Sequence, residues 1–130
     1  MMQYWPQCDS GPSLHGARVL IVEDDILLRM ELEFILREAG AEIAESCRTV
    51  NEGLAAAANG SVAAAILDIR VGRETVDPLV DQLISRGTPF MFYTGQAEND
   101  ANLEKWTGRT VLSKPARPEA IVAAVANLLR

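Results

Sequence analysis

The sequence predicts a doubly wound α/β domain built on a parallel five-stranded sheet. Two observations carry that expectation. Short apolar runs alternate five times with stretches of helical spacing between residues 17 and 130. Such alternation implies parallel strands joined by right-handed crossovers, with helices on both faces of the sheet. The runs Val19-Leu20-Ile21-Val22 and Val62 to Leu67 also lack the polar alternation of a strand with one wet face. They read as strands buried on both sides.

The first strand, Arg18 to Val22, runs into three acids, Glu23-Asp24-Asp25. Asp25 suits the N-cap of a helix reaching about Ala39, with Leu28, Leu32, Ile35, Leu36 and Ala39 on one face. Gly40 follows as the residue that ends it. A weaker second strand is expected over residues 42–47, around Ile43. Thr49-Val50-Asn51-Glu52 has the form of a capping box and opens a helix through the alanine run to Ala58, closed by Asn59-Gly60. The third strand, Val62 to Leu67, ends in Asp68, and residues 69–74 are expected to be a loop containing Gly72. A helix from about Val76 to Ser85 turns Leu79, Val80, Leu83 and Ile84 inward and ends at Gly87. Pro78 falls in its first turn, where proline is tolerated. Pro89 to Tyr93 is the fourth strand, ending at Thr94-Gly95, and a short polar helix covers roughly residues 98–106. Thr110 to Ser113 is the fifth strand, ending at Lys114-Pro115. The last helix opens with Pro118 and carries Ile121, Val122, Val125, Leu128 and Leu129 inward. Residues 1–16, interrupted by Pro6, Gly11, Pro12 and Gly16, read as a disordered or weakly ordered tail ahead of a domain spanning 17–130. Five such units are the size of a flavodoxin-like sheet with strand order 2-1-3-4-5.

Composition narrows the function classes. The chain has 130 residues, 48% of them apolar, and a formal charge of −6, which fits one globular domain. The acidic balance and the lack of a basic stripe argue against direct binding of nucleic acid. No apolar run approaches the length of a membrane span, and no basic start leads into an apolar leader. Cys8 and Cys47 form no CxxC and no Cys/His ligand spacing, so neither a disulfide framework nor a zinc site is expected. A reducing cytoplasm is the natural setting. His15, the single histidine, sits at the end of the tail and is given no catalytic role.

In an open parallel sheet, ligands bind at the carboxyl edge of the strands. That edge collects Glu23 and Asp24, Asp68, Thr94 and Lys114 from four strand ends, and the expected strand order makes Asp24 and Asp68 neighbours. Crowded carboxylates repel one another unless a cation lies among them, and their oxygens suit a hard divalent ion such as magnesium. An aspartate can also attack phosphorus to form an acyl phosphate. The anionic incoming group would then be offset by the metal, Lys114 and the Thr94 hydroxyl. An isolated Glu-Asp-Asp is more often a solvated turn, and Asp25 is read as a helix cap rather than a metal ligand. The coincidence of polar groups at four strand ends favours a site.

Val19–Asp25, Leu67-Asp68, Tyr93-Thr94-Gly95 and Leu112-Ser113-Lys114-Pro115, in this order, resemble the receiver domain of two-component response regulators, the CheY-like family. The resemblance spans residues 17–130. It implies that Asp68 is a phosphoacceptor supplied by a histidine kinase or histidine phosphotransfer protein. It also implies a Mg2+ ion held by Asp24, Asp68 and the backbone carbonyl of Arg70, with Glu23 helping through water. Thr94 and Lys114 would contact the phosphoryl group, and the Lys114–Pro115 bond would be cis. The implied protein is a cytoplasmic switch rather than an enzyme, with slow self-dephosphorylation. Its phosphorylation would change binding to a separate protein target through the face formed by the fourth helix, fifth strand and fifth helix. That face also allows a homodimer, and Trp106 is a candidate contact on it, although an ordinary half-buried aromatic is the favoured reading of that residue. Because the chain stops at the fifth helix, a stand-alone regulator without an output domain is expected.

The chain departs from the family pattern in several places. Val111 stands where many receivers have a switch aromatic, so output is expected to use movement around Thr94–Trp106. Ile69-Arg70-Val71-Gly72-Arg73-Glu74 lacks the frequent Pro-Gly pair, and Ala116 replaces an aromatic after Lys-Pro. Phe92-Tyr93-Thr94-Gly95 looks like the start of the FATGUY-type motif of stand-alone α-proteobacterial regulators, which pair with HWE-type kinases, and departs from it at Gln96. Arg70 and Gln96 fall at positions that tune acyl-phosphate hydrolysis in the family.

Two other classes compete. A pseudo-receiver, or a receiver cut from a longer chain, would act as an interaction module without regulated phosphorylation. Retention of Asp68 and Lys114 speaks against the first. Phosphatases of the haloacid-dehalogenase type and Toprim-type nucleases need an Asp-x-Asp pair, which neither Glu23-Asp24-Asp25 nor Asp68-Ile69-Arg70 supplies.

Overall fold

Strand β1 (Arg18–Val22) is the axis of the molecule, and four of its five residues are buried. A computed structural model describes residues 13–59, 61–95 and 108–130. Along it follow α1 (Ile26–Glu38), β2 (Glu42–Cys47), α2 (Val50–Ala58), β3 (Ala64–Leu67), β4 (Arg70–Val71), β5 (Glu74–Thr75), α3 (Asp77–Arg86), β6 (Phe90–Thr94), β7 (Thr110–Ser113) and α4 (Pro118–Leu128). The main sheet has the order β2-β1-β3-β6-β7, and every pairing in it is parallel. Counted over the long strands this is the expected 2-1-3-4-5, a flavodoxin-like arrangement.

Side chains alternate across a strand, and the sheet therefore feeds two cores. Leu20, Val22, Ala65, Leu67, Phe90 and Phe92 face α2 and α3, where they meet Ala56, Leu79 and Leu83. Val19, Ile21, Ile66, Met91 and Tyr93 face α1 and α4, where they meet Leu32, Leu36, Ile121 and Val125. Burial on both faces is why these strands carry uninterrupted apolar runs. The helix ends follow local chemistry. The Asp25 carboxylate accepts from the amides of Leu27 and Leu28 at 2.9 and 3.3 Å, which confirms its role as a cap. Thr49 Oγ1 accepts from Glu52 N at 3.1 Å. The return arm of that box goes one residue further out, with Glu52 Oε1 accepting from Arg48 N at 3.0 Å.

Several details differ from the sequence reading. Residues 69–74 are not a plain loop: β4 and β5 pair as an antiparallel hairpin. Two-residue strands are too short to show alternation. The reversal depends on Gly72, whose φ of +64° suits glycine because it lacks a Cβ. Val71 anchors the hairpin in the core. Leu14 lies ahead of the expected domain start, yet it is buried, and its amide donates to the Ala39 carbonyl at 2.9 Å. Ile84 and Leu129, expected inside, are exposed: Ile84 lies at the margin of its helix's apolar stripe, and Leu129 is the C-cap of α4, past its last turn. The third strand begins at Ala64, two residues later than expected. The helix expected at 98–106, with Gln96, Trp106 and Cys8, lies outside the described residues. Among the described residues, no helix is long and apolar enough to cross a membrane.

Helix α2 approaches the sheet through Gly53. A Cβ placed there would stand 2.9 Å from Leu79 Cδ2 and 3.0 Å from Val22 Cγ2. Gly53→Val should therefore destabilise the fold by about 1–3 kcal/mol through overpacking, although a glycine is being removed from a helix. Urea unfolding checks this, and equal or greater stability would show that α2 can move away at no cost.

Candidate functional site

Backbone hydrogen bonds assemble the site before any side chain acts. Glu23 N donates to Cys47 O at 2.9 Å, Asp68 N to Val22 O at 3.1 Å, and Lys114 N to Thr94 O at 3.0 Å. These bonds extend the parallel ladder past the strand ends and bring the polar residues to one edge. Thr94 ends β6, is buried, and lies in register with Ser113 on β7. The Lys114–Pro115 bond is cis, as the resemblance implied.

Lys114 is the centre of the constellation. Its Nζ donates to Glu23 Oε1 at 2.6 Å and to Asp68 Oδ2 at 2.7 Å. Glu23 is only 3% exposed, and its Oε2 accepts from Asp25 N at 3.1 Å. Asp68 Oδ1 accepts from Ile69 N at 2.7 Å. Asp24 is exposed, and its Oδ2 accepts from Gly72 N at 3.0 Å. Oxygens of Glu23, Asp24 and Asp68 all lie within 4.8 Å of one another. Arg70 stands two residues past Asp68 in β4, paired with Thr75. The structure thus brings Glu23, Asp24, Asp68 and Lys114 into one cluster, with Thr94 on the same edge.

Burial and charge oppose each other here. Burial lifts the Glu23 carboxyl above its ordinary value, and the Lys114 hydrogen bond and the Asp25 amide only partly offset it. Burial alone would lower Lys114, but its hydrogen bonds to Asp68 and Glu23 reverse the sign and hold the ammonium above its ordinary value. Cys47 is buried nearby in the core, and burial pushes its thiol up to about 11, which keeps it out of thiolate chemistry. An oxygen-only donor set with one exposed member fits a hard divalent cation that keeps some of its water.

Sequence reasoning missed three contacts. The Glu23–Lys114 ion pair escaped it because an acid at a strand end gives no sign of a lysine partner 91 positions away. The Gly72 amide on Asp24 had one visible sign, a glycine in the stretch after Asp68. The Tyr93 hydroxyl, which accepts from Ala116 N at 3.1 Å, left no sign, because a tyrosine ending an apolar strand looks like core.

Removing the ammonium should expose the conflict. Lys114→Met leaves Glu23 and Asp68 facing each other without a cation. Breaking a fully buried pair costs about 3–5 kcal/mol. Because the Lys114 side chain keeps 16% exposure, about 2 kcal/mol is expected near neutral pH. In the variant, Glu23 binds its proton more tightly folded than unfolded. Stability is therefore lost as pH rises above the ordinary carboxylate range, and the gap to wild type widens in that direction. Lys114 itself stays charged across this window. Urea unfolding within and above the ordinary carboxylate range decides the matter, and a gap independent of pH would contradict the assignment.

Residues 19–126 match the response regulator receiver domain family. No curated protein matches the chain. Among solved structures, SdrG from Sphingomonas melonis Fr1 is 34% identical with a TM-score of 0.76, over 88% of this chain and 98% of that one. The Vibrio cholerae chemotaxis protein CheY4 is 28% identical with a TM-score of 0.75, over 88% of this chain and 99% of that one. The anti-anti-sigma factor PhyR from Bartonella quintana shares the fold at 22% identity and a TM-score of 0.76, over 88% of this chain. The chain spans about half the length of that protein, 47%. A parallel sheet in the order found here, an acidic cluster at its carboxyl edge and a match over residues 19–126 make the chain a member of the response regulator receiver domain family.

Proposed function

We propose that the chain is a phosphorelay receiver that takes a phosphoryl group on Asp68 and thereby changes its binding to a separate protein. The observation that carries this reading is the Lys114 ammonium held between Asp68 and Glu23, with Asp24 in the same cluster. Asp68 is half-buried and anchored by Ile69 N and Lys114, so its attacking carboxylate is held in place. As its oxygen bonds to phosphorus, the phosphorus–nitrogen bond of a phosphohistidine donor breaks, and the imidazole leaves. Lys114 follows the negative charge onto the phosphoryl oxygens, and the Thr94 hydroxyl donates to them. Glu23, Asp24, Asp68 and the Arg70 carbonyl would hold Mg2+, which supplies charge neutralisation during transfer. The reading is of a switch with slow self-dephosphorylation, not of a turnover enzyme.

The donor must bring its phosphohistidine to Asp68, and its surface must therefore rest on the rim of the site. Ile26, Leu27, Met30 and Phe34 form an apolar stripe on α1, each between 58% and 75% exposed. The stripe starts two residues past Asp24. Large apolar side chains grouped on a surface mark interaction sites, and this one is continuous with the acidic edge. We assign it to the phosphodonor protein.

Intact mass after incubation with acetyl phosphate tests the acceptor. Wild type should gain one phosphoryl group only with magnesium, and Asp68→Asn should gain none. No gain in wild type, or an undiminished gain in the variant, would overturn the reading. The paired change Leu27→Ser and Phe34→Ser tests the docking face. Transfer from a phosphorylated histidine phosphotransfer protein should fall about tenfold or more, the scale of losing central apolar anchors. An equal fall with acetyl phosphate would point instead to a damaged fold.

A further inference from the structure

Tyr93 precedes Thr94 on β6, and strand alternation turns it away from Phe92 into the core beneath α1 and α4. It is 2% exposed. A phenylalanine would fill the same space without a hydroxyl to satisfy. The hydroxyl has a specific partner: Oη accepts from Ala116 N at 3.1 Å. Ala116 lies two residues past Lys114 and directly before Arg117, the N-cap of α4, whose side chain makes no capping hydrogen bond. The same ring also lies beneath the lysine head, with Lys114 Nζ 5.8 Å from its centroid, within cation–π range. Tyr93 thus meets the Lys114 ammonium with its ring and the backbone two residues beyond that lysine with its hydroxyl. Val111 does not share this place, because it packs against the opposite core.

We propose that Tyr93 is a positioning residue for Lys114: its hydroxyl pins the segment after β7 while its ring carries the ammonium toward Asp68. Lysine is a flexible stem with a point charge, and two acids alone leave that stem free to follow either one. With the backbone pinned at Ala116 and a ring beneath the head, the ammonium has a restricted range that ends at the Asp68 carboxylate. Tyr93 touches no reacting atom; it acts through Lys114. The kinetic part of the test rests on the phosphoacceptor reading above, and the spectroscopic part does not.

The test compares wild type with Tyr93→Phe. In the variant, the Ala116 amide should exchange faster with solvent. The Lys114 ammonium protons, held by Glu23 and Asp68 in wild type, should broaden in the nuclear magnetic resonance spectrum. Below the melting range, the maximal rate of phosphorylation by acetyl phosphate with magnesium should fall about fivefold, the scale of one neutral hydrogen bond. The donor concentration giving half that rate should stay unchanged. An unchanged ammonium signal, or an unchanged rate in a wild type that accepts phosphate, would overturn the proposal. If wild type accepts none, the phosphoacceptor reading fails and the ammonium signal alone decides on Tyr93. If the variant does not fold, wild type gives the answer. Nuclear Overhauser contacts between the Tyr93 ring and the Lys114 side chain should persist with magnesium and acetyl phosphate present, and their loss would overturn the proposal.

Discussion

The site depends on one ammonium group shared by two acids. Lys114 Nζ lies 2.6 Å from Glu23 and 2.7 Å from Asp68, and Glu23 is almost wholly removed from water. Burying a carboxylate is costly unless it is paired and hydrogen-bonded. The parallel sheet makes the pairing possible, because β1, β3 and β7 deliver their ends to the same edge. Phe90, Phe92, Met91 and the other two-sided core residues hold those strands in register. The apolar interior and the charged edge are therefore not separate features. The first sets the separation of the charges in the second.

The edge keeps uncompensated charge at a cost in stability. Three carboxylate groups within 4.8 Å disfavour the fold when unpaired, and one lysine cannot neutralise all of them. That surplus of negative charge suits a hard cation. A tighter, fully neutralised cluster would carry less of that cost. Asp24, left exposed, is the member with solvent access, whereas Glu23 is the member whose charge the fold must support.

Most of the architecture was legible in the sequence because its signals are local and repeated. Asp25 ahead of α1, Thr49 and Glu52 at α2, and the apolar runs of β1 and β3 each state their structure within a few residues. The acids and the lysine were legible because a strand end is an unusual place for them. The β4–β5 hairpin was not, since two-residue strands have no period to read. The Glu23–Lys114 pair and the Tyr93–Ala116 hydrogen bond join residues 91 and 23 positions apart, and neither leaves a mark on its neighbours in the chain. Leu14 was hidden by its surroundings, a single apolar residue among turn formers that docks against the end of α1.

The hydrogen bond from Gly72 to Asp24 has a different kind of consequence. It joins positions 48 apart in the chain, and its donor is a main-chain amide. No side chain of the hairpin takes part in it. Arg73 and Glu74 are exposed beside it, and their identities can drift without disturbing the acid they surround. What cannot drift is the backbone shape at Gly72, with its φ of +64°. The hairpin therefore combines a surface open to substitution with a fixed backbone support that holds Asp24 in place.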